Sequence, residues 1–195
     1  MTRDFFARPA LRVARELVGK LLVRADDGLI ARIVEAEAYA GDDPASHAYG
    51  RLTVRNAPLW GPPGHAYVYR SYGVHWCLNT STDSDGVAGG CLLRAAEPLA
   101  GLTTMRARRN GVRDRDLLRG PGRLGQAFGL DGSWSGRDLC DGAPLGLADD
   151  GTRPPVEPGP RVGVGRASEW PWRFIIPCNP WVSPYKRSPR AIPED

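Results

Sequence analysis

The stretch Leu29-Ile30-Ala31-Arg32-Ile33-Val34-Glu35-Ala36-Glu37-Ala38-Tyr39 decides how the rest of the chain is read. It is long, rich in β-formers and free of glycine and proline, so it predicts an extended strand. Side chains alternate along a strand, which puts Ile33, Glu35, Glu37 and Tyr39 on one face and the small apolar Val34, Ala36 and Ala38 on the other. The two carboxylates therefore lie away from the obvious packing face, beside an aromatic ring and roughly 6.5 Å apart. That pattern fits a solvated polar face. It also fits a pair of groups arranged for acid/base work, as in glycoside hydrolysis.

Working outward, Asp26-Asp27-Gly28 is a turn signal that joins the strand to an earlier one, Leu21 to Ala25, as a hairpin. Before it, Pro9 and Gly19 bracket a short amphipathic helix with Leu11, Ala14, Leu17 and Val18 on one face. After it, residues 41–64 are polar, rich in glycine and proline and without period, a long loop of the kind that is functional or mobile. Strands are expected at Ala66 to Arg70, Val74 to Asn79 and Gly90 to Ala96, the last closed by Pro98. Helices are expected at Leu102 to Asn110 and Arg123 to Phe128, and late strands at Arg161 to Gly165 and Arg173 to Ile176. The sum is an α+β fold: a single domain over residues 1–195, built on a mostly antiparallel sheet with short helices and a protruding β-hairpin.

The 195 residues are 42% hydrophobic and 25% charged, as in soluble globular proteins. No apolar run approaches the ~20 residues of a membrane span, and the N-terminus lacks the apolar stretch of a signal peptide. A cytoplasmic location and no membrane partner are expected. Cys77, Cys91, Cys140 and Cys178 have no metal-binding or disulfide spacing, and no phosphate-loop or dinucleotide fingerprint is present, so no metal and no cofactor are expected. The net charge of +4 weakly favours a polyanion. Of 26 basic residues only Lys20 and Lys186 are lysines. Arginine suits bidentate phosphate contacts, although a GC-rich genome produces the same excess.

Other residues stand out singly, each with a bland reading beside it. Tyr67 and Tyr69 share a strand face, and Tyr72 falls at a hairpin turn, where it either packs on a neighbouring loop or inserts between bases. His47, Arg51 and Arg55 sit in the polar loop and read equally as surface residues. Arg94 ends an apolar strand, where a charge needs a partner or a ligand. Arg106, Arg108, Arg109, Arg113 and Arg115 form a basic cluster that suits either solvent or phosphates. Gly120-Pro121-Gly122 is either a plain turn or a set of backbone donors for an anion.

Together, Ile33-Val34-Glu35-Ala36-Glu37-Ala38-Tyr39, Tyr67-Val68-Tyr69 with Tyr72-Gly73, Leu92-Leu93-Arg94-Ala95 with Glu97-Pro98, Arg161-Val162-Gly163-Val164-Gly165 and Pro180-Trp181-Val182-Ser183 resemble the alkyladenine (3-methyladenine) DNA glycosylase family, in order and over most of the chain. The resemblance implies a monofunctional enzyme that flips damaged purines out of double-stranded DNA and hydrolyses the N-glycosidic bond, without a cofactor and as a bacterial monomer. By the same resemblance Glu37 is the general base for water and Arg94 positions that water or a phosphate. Tyr39, His47, Tyr69 and Asn79 line the base pocket, Tyr72 fills the gap in the duplex, and Arg51, Arg55, Arg106 and Arg109 contact DNA. Cys178-Asn179 departs from the small pair expected before Pro180-Trp181, and the Tyr39-to-His47 connection is one residue short of the common form. Two other readings compete: a DNA-binding module without catalysis, and a carbohydrate glycosidase using Glu35 with Glu37.

Overall fold

Gly28 adopts the left-handed conformation (φ 63°) and turns the chain where the sequence predicts, after a single 3₁₀ turn. In the computed structural model, which describes residues 1–141 and 144–192, the elements in chain order are α1 (Arg3–Phe6), α2 (Ala10–Leu17), β1 (Leu21–Arg24), β2 (Leu29–Ala40), β3 (Ala66–Ser71), β4 (His75–Ser81), β5 (Gly89–Ala100), α3 (Leu102–Arg109), α4 (Pro121–Ala127), β6 (Leu145–Ala148), β7 (Glu157–Gly159) and β8 (Arg173–Ile175). The strands form one antiparallel sheet in the order β3-β4-β5-β2-β1-β6, with β8 joined to β2 and β7 to β8. The architecture is α+β.

β2 is the spine. β5 pairs with it along almost its whole length. Its other edge is shared, with β1 on Leu29–Arg32 and β8 on Glu35–Glu37. One sheet face carries the main core, where Val13, Ala14 and Leu17 of α2 meet Ala31, Ile33, Ala36 and Ala38 of β2. α4 comes so close to β4 that a Cβ on Gly125 would stand 2.0 Å from the Trp76 carbonyl oxygen.

Strict alternation along β2 fails at one place. Ile33 does not share a face with Glu35 and Glu37; it joins Ala36 and Ala38 in the core. The β2–β5 register is irregular between Ile33 and Ala36, and both strands are affected, since Leu93 and Ala96 of β5 are also in the core three residues apart. An irregular step of this kind re-aims side chains. Glu35, Glu37 and Arg94 all leave the core face there.

Two further expectations are corrected. β5 does not stop at Pro98 but runs to Ala100, with Pro98 opposite Ala31. β4 pairs only with Gly90–Leu92 of β5, so at Pro98 β5 has β2 on one side and no β4 on the other. Residues 161–165 form no strand: Gly163 (φ 75°) bends them into a loop lying against β2. The helix α1 is additional to those expected. The β3–β4 hairpin ends in a turn with both central residues at positive φ, Tyr72 (49°) and Gly73 (68°), the geometry that follows hairpin twist. Tyr72 is 89% exposed at its tip.

Candidate active site

One row of the sheet runs through the site. Tyr67 on β3 faces Asn79 on β4, Asn79 faces Leu92 on β5, Leu92 faces Glu37 on β2, and Glu37 faces Arg173 on β8. Register alone thus brings chemistry-bearing residues from four strands into line across Leu92 of β5. Over this row lies an open cavity of about 900 Å³ whose wall includes Tyr39, His47, Tyr67, Tyr69, Asn79 and Arg94. Tyr67 and Tyr69, two apart on β3, stack at 5.5 Å and 26°. The His47 ring stands edge-on to Tyr69 at 4.5 Å, and its Nδ1 is 3.0 Å from the Tyr67 hydroxyl. Asn79 donates from Nδ2 to the Tyr67 carbonyl at 3.0 Å. The long loop is fastened by buried Asn56, whose Nδ2 donates to the carbonyls of His47 (2.8 Å) and Arg51 (3.0 Å).

Glu37 is fully buried behind this wall. The Tyr39 hydroxyl donates to its Oε2 at 2.9 Å, the Val162 N–H donates to its Oε1 at 2.8 Å, and Arg94 Nε lies 3.6 Å from Oε1. Tyr39, Val162 and Arg94, the groups around the carboxylate, all line the cavity. Burial, and then the Glu37 charge, push the Tyr39 phenol well above its ordinary range, so it remains a donor. Burial opposes the Arg94 charge, but Glu37 and Glu35 more than offset it and hold the guanidinium protonated. His47 is lowered by burial and then by the Arg55 charge, so its imidazole is neutral at neutral pH. Burial raises the Cys77 thiol, also in the wall, to about 11.

Glu35 is equally buried but does not face the cavity. It accepts from Arg173 Nε (2.5 Å), the Ser183 N–H (2.8 Å) and the Ser183 hydroxyl (3.0 Å). Neither glutamate is a solvated strand face. Arg161 forms a second buried ion pair with Asp43, with Nη2 3.0 Å from Oδ1, and also donates to the Ala38 carbonyl. Its guanidinium lies 4.7 Å from the Tyr39 ring centre and 5.3 Å from that of Trp172.

The cavity wall holds Tyr39, His47, Arg55, Tyr69, Tyr72, Asn79 and Arg94 from among the residues singled out in the sequence. Arg51, Arg106 and Arg109 are not part of it. Arg106 pairs with Asp114 at 2.6 Å, and Arg109 reaches Gln126 at 2.5 Å. Asn179 caps its own turn by accepting from Trp181 N–H. Sequence reasoning missed the Val162 N–H, the Arg173–Ser183 partners of Glu35 and the Asp43–Arg161 pair. The signals for them were the glycine-punctuated run at 161–165 and the Pro180-Trp181-Val182-Ser183 run, whose placement against β2 depends on tertiary contacts. It also missed the cationic rim of Arg70, Arg166, Lys186 and Arg187. Among the described residues no group of three His, Cys, Asp or Glu side chains could hold a metal ion. No described helix is long and apolar enough to cross a membrane.

The site thus sets a buried carboxylate behind an aromatic slot, beside a cationic rim and an exposed tyrosine. The family model described as methylpurine-DNA glycosylase matches residues 4–180. A protein of Burkholderia lata is 51% identical over 189 residues, covering 94% of this chain and 90% of its own; one of Rhodopseudomonas palustris is 46% identical over 188 residues, covering 96% and 90%. Both are provisionally named as 3-methyladenine DNA glycosylases. The class is that of the monofunctional DNA-repair glycosylases. Within it, this chain belongs to the methylpurine-DNA glycosylase family.

Proposed function

We propose that the protein excises alkylated or deaminated purines from double-stranded DNA, receiving the flipped nucleotide in the aromatic cavity and hydrolysing its N-glycosidic bond with water activated by Glu37. The observation that carries this reading is the placement of Glu37, held by the Tyr39 hydroxyl, the Val162 N–H and Arg94 immediately behind the cavity wall. The base stacks between Tyr39 and the His47–Tyr69 pair. Its arrival shifts the Tyr39 hydroxyl and opens Oε2 to water. Glu37 takes a proton from that water as its oxygen bonds to C1′, and the base leaves with the electrons of the broken C1′–N bond. A purine methylated on N3 or N7 is cationic and departs neutral, whereas a neutral lesion such as hypoxanthine departs as its anion and takes up a proton from solvent. The carboxylate also steadies the positive charge that develops on the sugar. Arg94 orients the water or the adjoining phosphate, and Asn79 meets the purine edge at the pocket floor.

Tyr72, exposed at the hairpin tip, fills the space vacated in the duplex. Arg55 on the rim engages the backbone, with Arg51 beside it and Arg106 and Arg109 reaching flanking phosphates. The chain acts as a monomer and needs no metal or cofactor. A carbohydrate glycosidase using Glu35 as partner of Glu37 finds no support, because Glu35 is saturated by buried donors and has no face on the cavity.

The test is a duplex carrying one 3-methyladenine, 7-methylguanine, hypoxanthine or ethenoadenine, incubated with the protein and assayed for alkali-labile abasic sites. Abasic sites from at least one lesion support excision. Tight binding without strand breakage after alkali on any lesion would establish a binding module instead.

A further inference from the structure

Arg94 lies between two buried carboxylates, and what surrounds the second one decides where its charge acts. Its Nε is 3.2 Å from Glu35 Oε1 and 3.6 Å from Glu37 Oε1. Left alone with both, a guanidinium would be divided between them, and a rotamer change would favour one. Three features prevent this. Arg173 Nε meets Glu35 Oε1 at 2.5 Å, so a second cation balances the second anion. The Ser183 N–H fixes Oε2 at 2.8 Å. The Ser183 hydroxyl donates to Glu35 Oε1 at 3.0 Å and accepts from Arg94 Nε at 3.2 Å. That hydroxyl therefore has one orientation, with its proton towards Glu35 and its lone pair towards Arg94.

The segment that carries Ser183 is itself tied down. Arg119 Nε donates to the Val182 carbonyl at 2.7 Å, and Arg173 Nη2 donates to the Ser183 carbonyl at 3.0 Å. All of the Arg94 contacts described for this cluster run through Nε, on a residue that also lines the cavity.

We propose that Glu35, Arg173 and Ser183 form a clamp that grips the Nε edge of Arg94 and holds its guanidinium beside Glu37, making Ser183 a positioning residue for the glycosylase reaction. The inference rests on the reading of Glu37 and Arg94 as the water-activating pair. Ser183→Ala is the least disruptive probe. It leaves the backbone N–H on Glu35 and the Arg173 pairing in place and deletes the hydroxyl, which donates to Glu35 and accepts from Arg94.

Single-turnover excision from a lesion duplex is measured for Ser183→Ala, Ser183→Thr, Arg94→Ala and the Ser183→Ala/Arg94→Ala double variant, with duplex affinity and Tm measured alongside. Misplacing a reacting group by a fraction of an ångström to 1 Å costs up to about 100-fold in rate. Ser183→Ala is expected to lose about 10–100-fold in the single-turnover rate at saturating protein, with affinity and Tm little changed. Ser183→Thr, which keeps the hydroxyl, restores the rate to within about threefold. In the Arg94→Ala background the Ser183→Ala change costs nothing further, because the group it positions is gone.

A wild-type rate in Ser183→Ala, or an equal further loss in the Arg94→Ala background, overturns the clamp. If Glu37→Gln in the same assay keeps full activity, the reading of Glu37 fails. If Glu37→Gln is inactive and Ser183→Ala is not impaired, only the clamp fails.

Discussion

His47 reaches the cavity from a loop while its ring is packed against Tyr67 and Tyr69. Burial, with Arg55 nearby, lowers its proton affinity below the usual 6.5. A neutral imidazole suits the proposed binding of a cationic purine, since a second positive charge would repel the base. The unfolded chain binds the proton more readily than the folded one, so His47 contributes stability above about pH 6.5 that is lost as the pH falls through its folded value. An NMR titration of the imidazole is expected to show a midpoint below 6.5, and a midpoint at or above it contradicts this. At this scale the sequence was informative about residue type and silent about partners. Glu35 and Glu37 look equivalent by alternation. They differ because β8 and the 180–183 segment bring Arg173 and Ser183 to one, while Tyr39 and Val162 meet the other. Those contacts join residues more than 120 positions apart, apart from the local Tyr39 bond, and no spacing rule reaches that far.

The β3–β4 hairpin and the 41–64 loop make opposite predictions for stability and binding. Tyr72 is 89% exposed, so Tyr72→Ala is expected to leave Tm unchanged while weakening lesion-duplex affinity by about 1–3 kcal/mol, the scale of stacking on a base. Equal affinity with the wild-type protein would show that the tip does not touch DNA. Asp43 is fully buried against Arg161 and ties the loop to the 161–165 segment. Asp43→Ala strands a buried cation, and a loss of about 3–5 kcal/mol in urea unfolding is expected. A loss under about 1 kcal/mol would mean that the pair is relieved by water or rearrangement. Hairpins, short helices and the loop were legible from turn residues and periodicity. β5 past Pro98 and the irregular step at Ile33–Ala36 were not, because both depend on which strand lies alongside.

Across the whole molecule, sheet register gathers Tyr67, Asn79, Leu92, Glu37 and Arg173 into one row, and the cationic rim stands above it. The α+β class and the antiparallel sheet could be read from the chain, as could the side of β2 that carries the carboxylates. Which carboxylate stands behind the cavity could not be read from alternation; only the family resemblance pointed to Glu37. The proposed chemistry depends on Glu37 being that group. The most direct measurement is single-turnover release of an alkylated purine by Glu37→Gln, with duplex binding measured in parallel. Loss of the carboxylate is expected to slow excision by roughly 10²–10⁴-fold or more while lesion-duplex affinity is retained. Excision at the wild-type rate would contradict it.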